Sequence, residues 1–316
     1  MKLTTQVPFQ SISNPINYDS KILNIGSCFA ENIGDRLDYF KFQQIQNPFG
    51  ILFHPQAILK IFQMASEETV FSKSDIFQHQ NLWHHFDAHS RLSHPDAEFL
   101  LSNLNSAVGI LSTALKNSTH IFITFGTAWI YRHLASDKFV ANCHKVPNSE
   151  FSKKLSTSEE IKVIISEIRS LIRSQNPKAE LTFTISPVRH IKDGVLENNR
   201  SKAHLFSALH EVLDQFPNDL NYFPSYEFVL DELRDYRFFK RDLVHPNELA
   251  VDLIWEKFKL NCIENSAIPT LKKVENLQKS LAHRAVNPES EDFKAFEIQR
   301  NNLKTELQEK FPFMQF

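Results

Sequence analysis

Apolar positions along the chain fall into two kinds of pattern. Short continuous runs stand at 22–25 (ILNI), 120–126 (HIFITFG) and 180–186 (ELTFTIS), with the lengths and residue types of buried strands. Between the last two, Ile161, Ile164, Ile165, Ile168, Leu171 and Ile172 recur at helical spacing. Thr157 or Ser158 is placed to cap that helix, and Asn176-Pro177 to end it. Strand, long helix, strand is a βαβ unit, and such units build parallel sheets. The helical period also follows the first run, in Ala30, Ile33, Leu37 and Phe40, and returns in SKAHLFSALHEVLDQFPN (201–218). Tyr226 to Leu230 reads as a last strand. A final core helix then starts at HPNELAVDLIWEKF (245–258), with Leu249, Leu253, Ile254 and Phe258 inward.

Beyond about residue 266 the pattern changes. LKKVENLQKSLAHRAV and ESEDFKAFEIQRNNLKTELQEKF are charged amphipathic helices on either side of Asn287-Pro288. The chain therefore divides into an α/β core over 1–265, with an insertion around 55–118, and a helical extension over 266–316. That extension either packs back on the core or forms a homodimer contact, and the pattern alone does not choose.

Composition narrows the function. The chain has 316 residues, 42% of them hydrophobic and 23% charged, which fits a globular protein with a sizeable core. A net charge of −2 gives no reason to expect a nucleic-acid partner. Three widely spaced cysteines, with no Cys-x-x-Cys pair, make neither a disulfide framework nor a zinc site. The first residues lack the apolar run of a signal peptide, and no segment has the apolar length of a membrane span. The expected setting is the cytoplasm.

Three places carry candidate chemistry. In ILNIGSCFAENIG (22–34) a strand turns through Gly26 into a helix, leaving Ser27 at the helix N-terminus. A serine there is either a helix cap or a nucleophile beside free N–H groups. RDLVHP puts Asp242 and His245 three residues apart on a loop, a spacing that can bring the carboxylate to the imidazole Nδ1. TFGTAW ends the strand near 121–126, and Gly126 lets another backbone approach closely. All three fall at carboxyl ends of strands, where open α/β sheets carry their functional loops.

The block NIGSCFAENIG resembles the motif of the GSCFA family, a group with the SGNH (GDSL-type) hydrolase fold. NPFGILFHP (47–55), FITFGTAWIY (122–131), ANCHKVP (141–147), SPVRHIKDGVLENNRSKA (186–203) and the stretch leading into DLVHPNE are similar to that family too. Together they cover about residues 20–260. The resemblance implies a flavodoxin-like three-layer α/β/α sandwich with a mostly parallel sheet. It also implies a Ser27–His245–Asp242 triad acting on an ester, small-molecule or glycan; the sequence itself gives no reason to expect a metal or organic cofactor.

One departure matters. The wider SGNH pattern places an Asn donor for the oxyanion where this chain has Ala128, and losing one such donor lowers acyl-transfer rates by about 10²–10³. Groups that could fill the gap, or touch substrate, are the backbone of Ser27, Cys28 and Gly50 and the residues Asn47, Gly126, Thr127, Asn142, His144 and Arg189. The leading expectation is a serine esterase. An O-acyltransferase using the same triad, and a non-catalytic glycan- or acyl-binding protein on the same fold, are the alternatives.

Cys28 as nucleophile, a Cys143–His144 dyad, and a metal bound by the histidines of WHHFDAHSRLSHP (83–95) are weaker readings. Adjacent residues on an extended segment point apart, and the histidine run lacks a helical HExxH.

Overall fold

A computed structural model describes residues 5–284, 287 and 290–316; Pro288, expected between the two C-terminal helices, lies outside them. In chain order the elements are β1 (Lys21–Gly26), α1 (Cys28–Tyr39), β2 (Gln43–Gln46), α2 (Pro55–Ser66), β3 (Phe77–His79), β4 (Leu82–His84), α3 (Ala97–Asn117) and β5 (His120–Phe125). There follow β6 (Trp129–His133), β7 (Lys138–Val140), β8 (Phe151–Leu155), α4 (Ser158–Gln175), β9 (Glu180–Ile185), α5 (Val195–Gln215) and β10 (Asn221–Tyr222). A short turn, α6 (Ser225–Glu227), precedes α7 (Glu248–Cys262), α8 (Ile268–Ala282) and α9 (Glu291–Lys310).

The central sheet has five strands in the order β10-β9-β5-β1-β2, and every pairing in it is parallel. Counted along the sheet's own strands this is 2-1-3-4-5, the doubly wound order whose switch point lies between the first and third strands. Here that point is the gap between β1 and β5. Side-chain alternation divides the core between the two faces. Leu23, Ile25, Ile121, Ile123 and Phe125 belong to one buried cluster, with α2, α3, α4 and α5. Ile22 and Phe122 belong to a second, with α1, α7, α8 and the N-terminal residues Ile12 and Ile16. Helices thus flank the sheet on both faces.

Several sequence expectations shift. Tyr226–Leu230 is not a strand: residues 225–232 form helical turns that bury Phe228 and Val229. The outer strand is instead β10, just before Pro224, whose missing N–H cannot extend a ladder. The segment 55–118 is built into the core. Its helices α2 and α3 contribute Ile58, Phe62, Leu104 and Leu111 to the same cluster as the sheet, and the excursion is confined to the β3–β4 hairpin and its flanks. Helix α7 turns Ala250, Ile254, Trp255 and Phe258 inward, whereas Leu249 is exposed. Leu271, Val274 and Leu277 of α8 and Leu307 of α9 are buried in the second cluster, so both helices pack back on the chain.

Candidate functional site

The switch point is built by close backbone approach. Gly26 has φ +133, and a Cβ there would stand 2.1 Å from the Thr124 carbonyl oxygen of β5. Only glycine fits, because both the conformation and the space exclude a side chain. The next residue, Ser27, donates its N–H to that same carbonyl at 3.1 Å. Its Oγ accepts from Phe29 N–H at 3.3 Å as the N-cap of α1, and the residue is fully buried. Among the described residues no hydrogen bond joins Ser27 Oγ to His245.

Asn47, at φ +43, closes the site on the β2 side. Its Oδ1 accepts from Gly26 N–H at 2.8 Å, which fixes the amide orientation and makes the other terminus the NH₂ group. That Nδ2 is buried without a partner among the described residues. Gly50 N–H is occupied by the Asn47 carbonyl at 2.7 Å. A Cβ on Gly50 would collide with His89, so the histidine-bearing segment lies directly against this turn. Arg91 of that segment pairs with Glu31 in the first turn of α1.

Asp242 and His245 form the pair their spacing predicts. His245 Nδ1 donates to Asp242 Oδ2 at 2.7 Å, while Asp242 Oδ1 accepts from Val244 N–H at 2.9 Å and His245 N–H at 3.0 Å. These backbone donors, with the imidazole, hold the Asp242 carboxyl well below the usual carboxylate range. With Nδ1 committed to the carboxylate, the neutral ring keeps the Nε2 lone pair for another proton. Both side chains are about half exposed.

On the other flank of β5 the chain is stitched to α5. Ala128 N–H donates to Ser201 Oγ at 2.7 Å, and Thr127 Oγ1 lies 2.9 Å from the same hydroxyl. The backbone at Ala128 is therefore no substitute for the missing side-chain donor. Lys202 Nζ donates to the carbonyls of Gly126 and Ser186, both at 2.7 Å. It is 2% exposed and has no ion pair among the described residues. Burial lowers its pKa to about 7, and it is close enough to Cys28 for their charges to interact. Neither Ser201 nor Lys202 is an obvious site residue in sequence. The signal was there: extending the buried α5 stripe of Leu205, Leu209 and Val212 backwards by helical steps lands on Lys202, Ser201 and Asn198.

The remaining candidates separate. Arg189 lines a cavity of about 670 Å³ with Lys202. Thr127, Asn142 and His144 line another, of about 410 Å³, with Cys143 and His190. Asn142 Oδ1 is held by His144 N–H, and His144 Nε2 donates to the His85 carbonyl at 2.8 Å. Burial pushes His144 and His190 each down to about 4, so both rings are neutral near pH 7. Burial also raises the Cys28 thiol, with Glu31 adding to the effect, which leaves it unactivated; Cys143 rises to about 11. Among the described residues no three His, Cys, Asp or Glu side chains are placed to hold a metal, and no helix is long and apolar enough to cross a membrane.

The family model described as the GSCFA family matches residues 21–258, about three-quarters of the sequence. The chain belongs to the GSCFA family. The match runs from the first residue of β1 to within four residues of the end of α7, so it takes in the GSCFA turn, the stitched β5 end and the Asp242–His245 loop. No curated protein sequence matches this GSCFA chain.

Proposed function

We propose that this GSCFA protein is a serine esterase of the SGNH hydrolase type, its three-layer core extended by the helices of 266–316. The observation that carries the reading is the Asp242–His245 pair, whose carboxylate is anchored by two backbone N–H groups and whose imidazole Nε2 makes no hydrogen bond among the described residues. His245 takes the Ser27 proton as Oγ attacks the ester carbonyl. Asp242 orients the imidazole and stabilises the imidazolium. Collapse of the tetrahedral intermediate breaks the ester C–O bond, the leaving alcohol takes the proton from His245, and water activated by the same histidine then hydrolyses the acyl-enzyme.

The tetrahedral oxyanion needs donors. The N–H groups of Ser27, Gly50 and Ala128 are engaged, and Asn47 Nδ2, held beside Ser27 through Gly26, serves as a side-chain donor alongside Cys28 N–H. Ser27 must leave its capping geometry and be uncovered for turnover.

A second reading has one observation in its favour: the buried Ser27 hydroxyl caps α1. On that reading the protein is a non-catalytic binder of an acyl or glycan ligand. Hydrolysis of p-nitrophenyl acetate and butyrate decides between them. The esterase reading expects turnover by the wild type that falls by about 10³ or more in both Ser27→Ala and His245→Ala. Equal background rates for all three would leave the binding reading.

A further inference from the structure

The cavity of about 670 Å³ lies between α5 and the turns of 226–239, and its wall combines two unlike chemistries. Phe206, Val229, Leu230 and Phe239 supply an apolar surface. Arg189, and Lys202 when protonated, supply positive charge, and neither has an ion pair among the described residues. Arg189 Nε is buried with no hydrogen-bond partner among the described residues. Lys202 is almost wholly buried against two neutral carbonyls. A protonated amine in that position keeps a third N–H beyond the two these carbonyls use.

Burying cationic groups without a counter-charge is unfavourable unless an anion completes the site. The acidic residues on the same wall do not do so. Asp235 accepts from Arg237 N–H and stands 3.8 Å from Arg237 Nε, and Asp231 is exposed and forms no ion pair among the described residues. We propose that this cavity binds an amphiphilic anion, a carboxylate or phosphate monoester on an apolar body, with Arg189 and Lys202 as its cationic partners. Lys202 on the cavity wall is hydrogen-bonded to the Gly126 carbonyl at the end of β5, the strand that pairs with β1 ahead of Ser27. Resting on the esterase reading, the substrate is then an ester that also bears an acid group.

The test has a binding arm and a turnover arm, both on the full chain. Calorimetry on Ser27→Ala compares octanoate, octyl phosphate, inorganic phosphate and 1-octanol. The proposal expects octanoate or octyl phosphate to bind at least about tenfold more tightly than octanol, with the preferred headgroup naming the anion. Inorganic phosphate alone binds more weakly than its octyl ester. Arg189→Gln in the same background reduces the anion-to-octanol ratio by about tenfold, and Arg189→Lys, which keeps the charge, reduces it less. Equal affinity for octanol and the anions, or an unchanged ratio in Arg189→Gln, overturns the proposal.

The turnover arm compares mono-p-nitrophenyl glutarate with p-nitrophenyl butyrate in the wild type, and the acidic ester should have the higher kcat/KM. Anion binding without turnover of either ester keeps the cavity assignment and removes the esterase reading. Turnover that favours the neutral ester, with no anion preference in binding, does the reverse.

Discussion

At the scale of single residues the account turns on what surrounds Ser27. Asn47 holds Gly26 N–H with one end of its amide and leaves the other end unpaired. Asn47→Asp keeps the acceptor for Gly26 and removes the donor. The expected result is a folded protein whose ester turnover falls by about 10²–10³, read as a loss in kcat with little change in KM. Asp242 carries the second prediction. Because His245 and Val244 N–H groups hold its carboxyl below the ordinary range, its contribution to the loop is complete above about pH 4 and is lost only as pH falls through that lower value. An NMR titration of the Asp242 carboxyl should find its midpoint below those of exposed aspartates. Asp242→Asn keeps an acceptor for both backbone donors but loses the charge, so the pH-dependent part of that stability should disappear, while turnover drops by about 10⁴.

At the scale of elements, the ends of β5 and β9 are tied to α5 by Ser201 and Lys202, a polar seam where most doubly wound sheets present free loops. Lys202 makes that seam pH-dependent. Its pKa in the folded chain is about 7, below the roughly 10.4 of an unfolded lysine. Between those values the unfolded state binds more protons, so stability rises with pH across the interval. It is lost again as pH falls toward 7. Lys202→Met removes the group, and so the stability difference, wild type minus variant, should grow as denaturation is measured from about pH 7 to about pH 9.5. The neighbouring groups that titrate, Cys28, His190 and Tyr226, are common to both proteins and largely cancel in the difference.

At the scale of the whole molecule, the family match stops at residue 258 yet the core does not. Leu277 of α8 is fully buried with Trp255 and Phe258 of α7. Leu277→Ala should therefore cost about 2–5 kcal/mol in chemical denaturation, with tryptophan fluorescence and far-UV circular dichroism reporting one common transition. A detached helical appendage would instead give two transitions. The same architecture explains what could be read from sequence. Strands β1, β5 and β9 are buried on both faces and stand out as continuous apolar runs. The edge strand β2 is QQIQ and β10 has two residues, so neither leaves a periodic trace. Asp242 and His245 were legible because their contact is local, three residues apart on one loop. The Arg189–Lys202 cavity was not, because α5 and the turns of 226–239 meet only in the folded chain.

The central claim is that Ser27 is a nucleophile and not merely a cap. The most direct measurement is to treat the wild type with a fluorophosphonate and locate the adduct by intact and peptide mass. The account predicts a single adduct on the peptide containing Ser27, absent from Ser27→Ala and at least about a hundredfold slower to form in His245→Ala. An unlabelled wild type, or equal labelling of the three proteins, would contradict it.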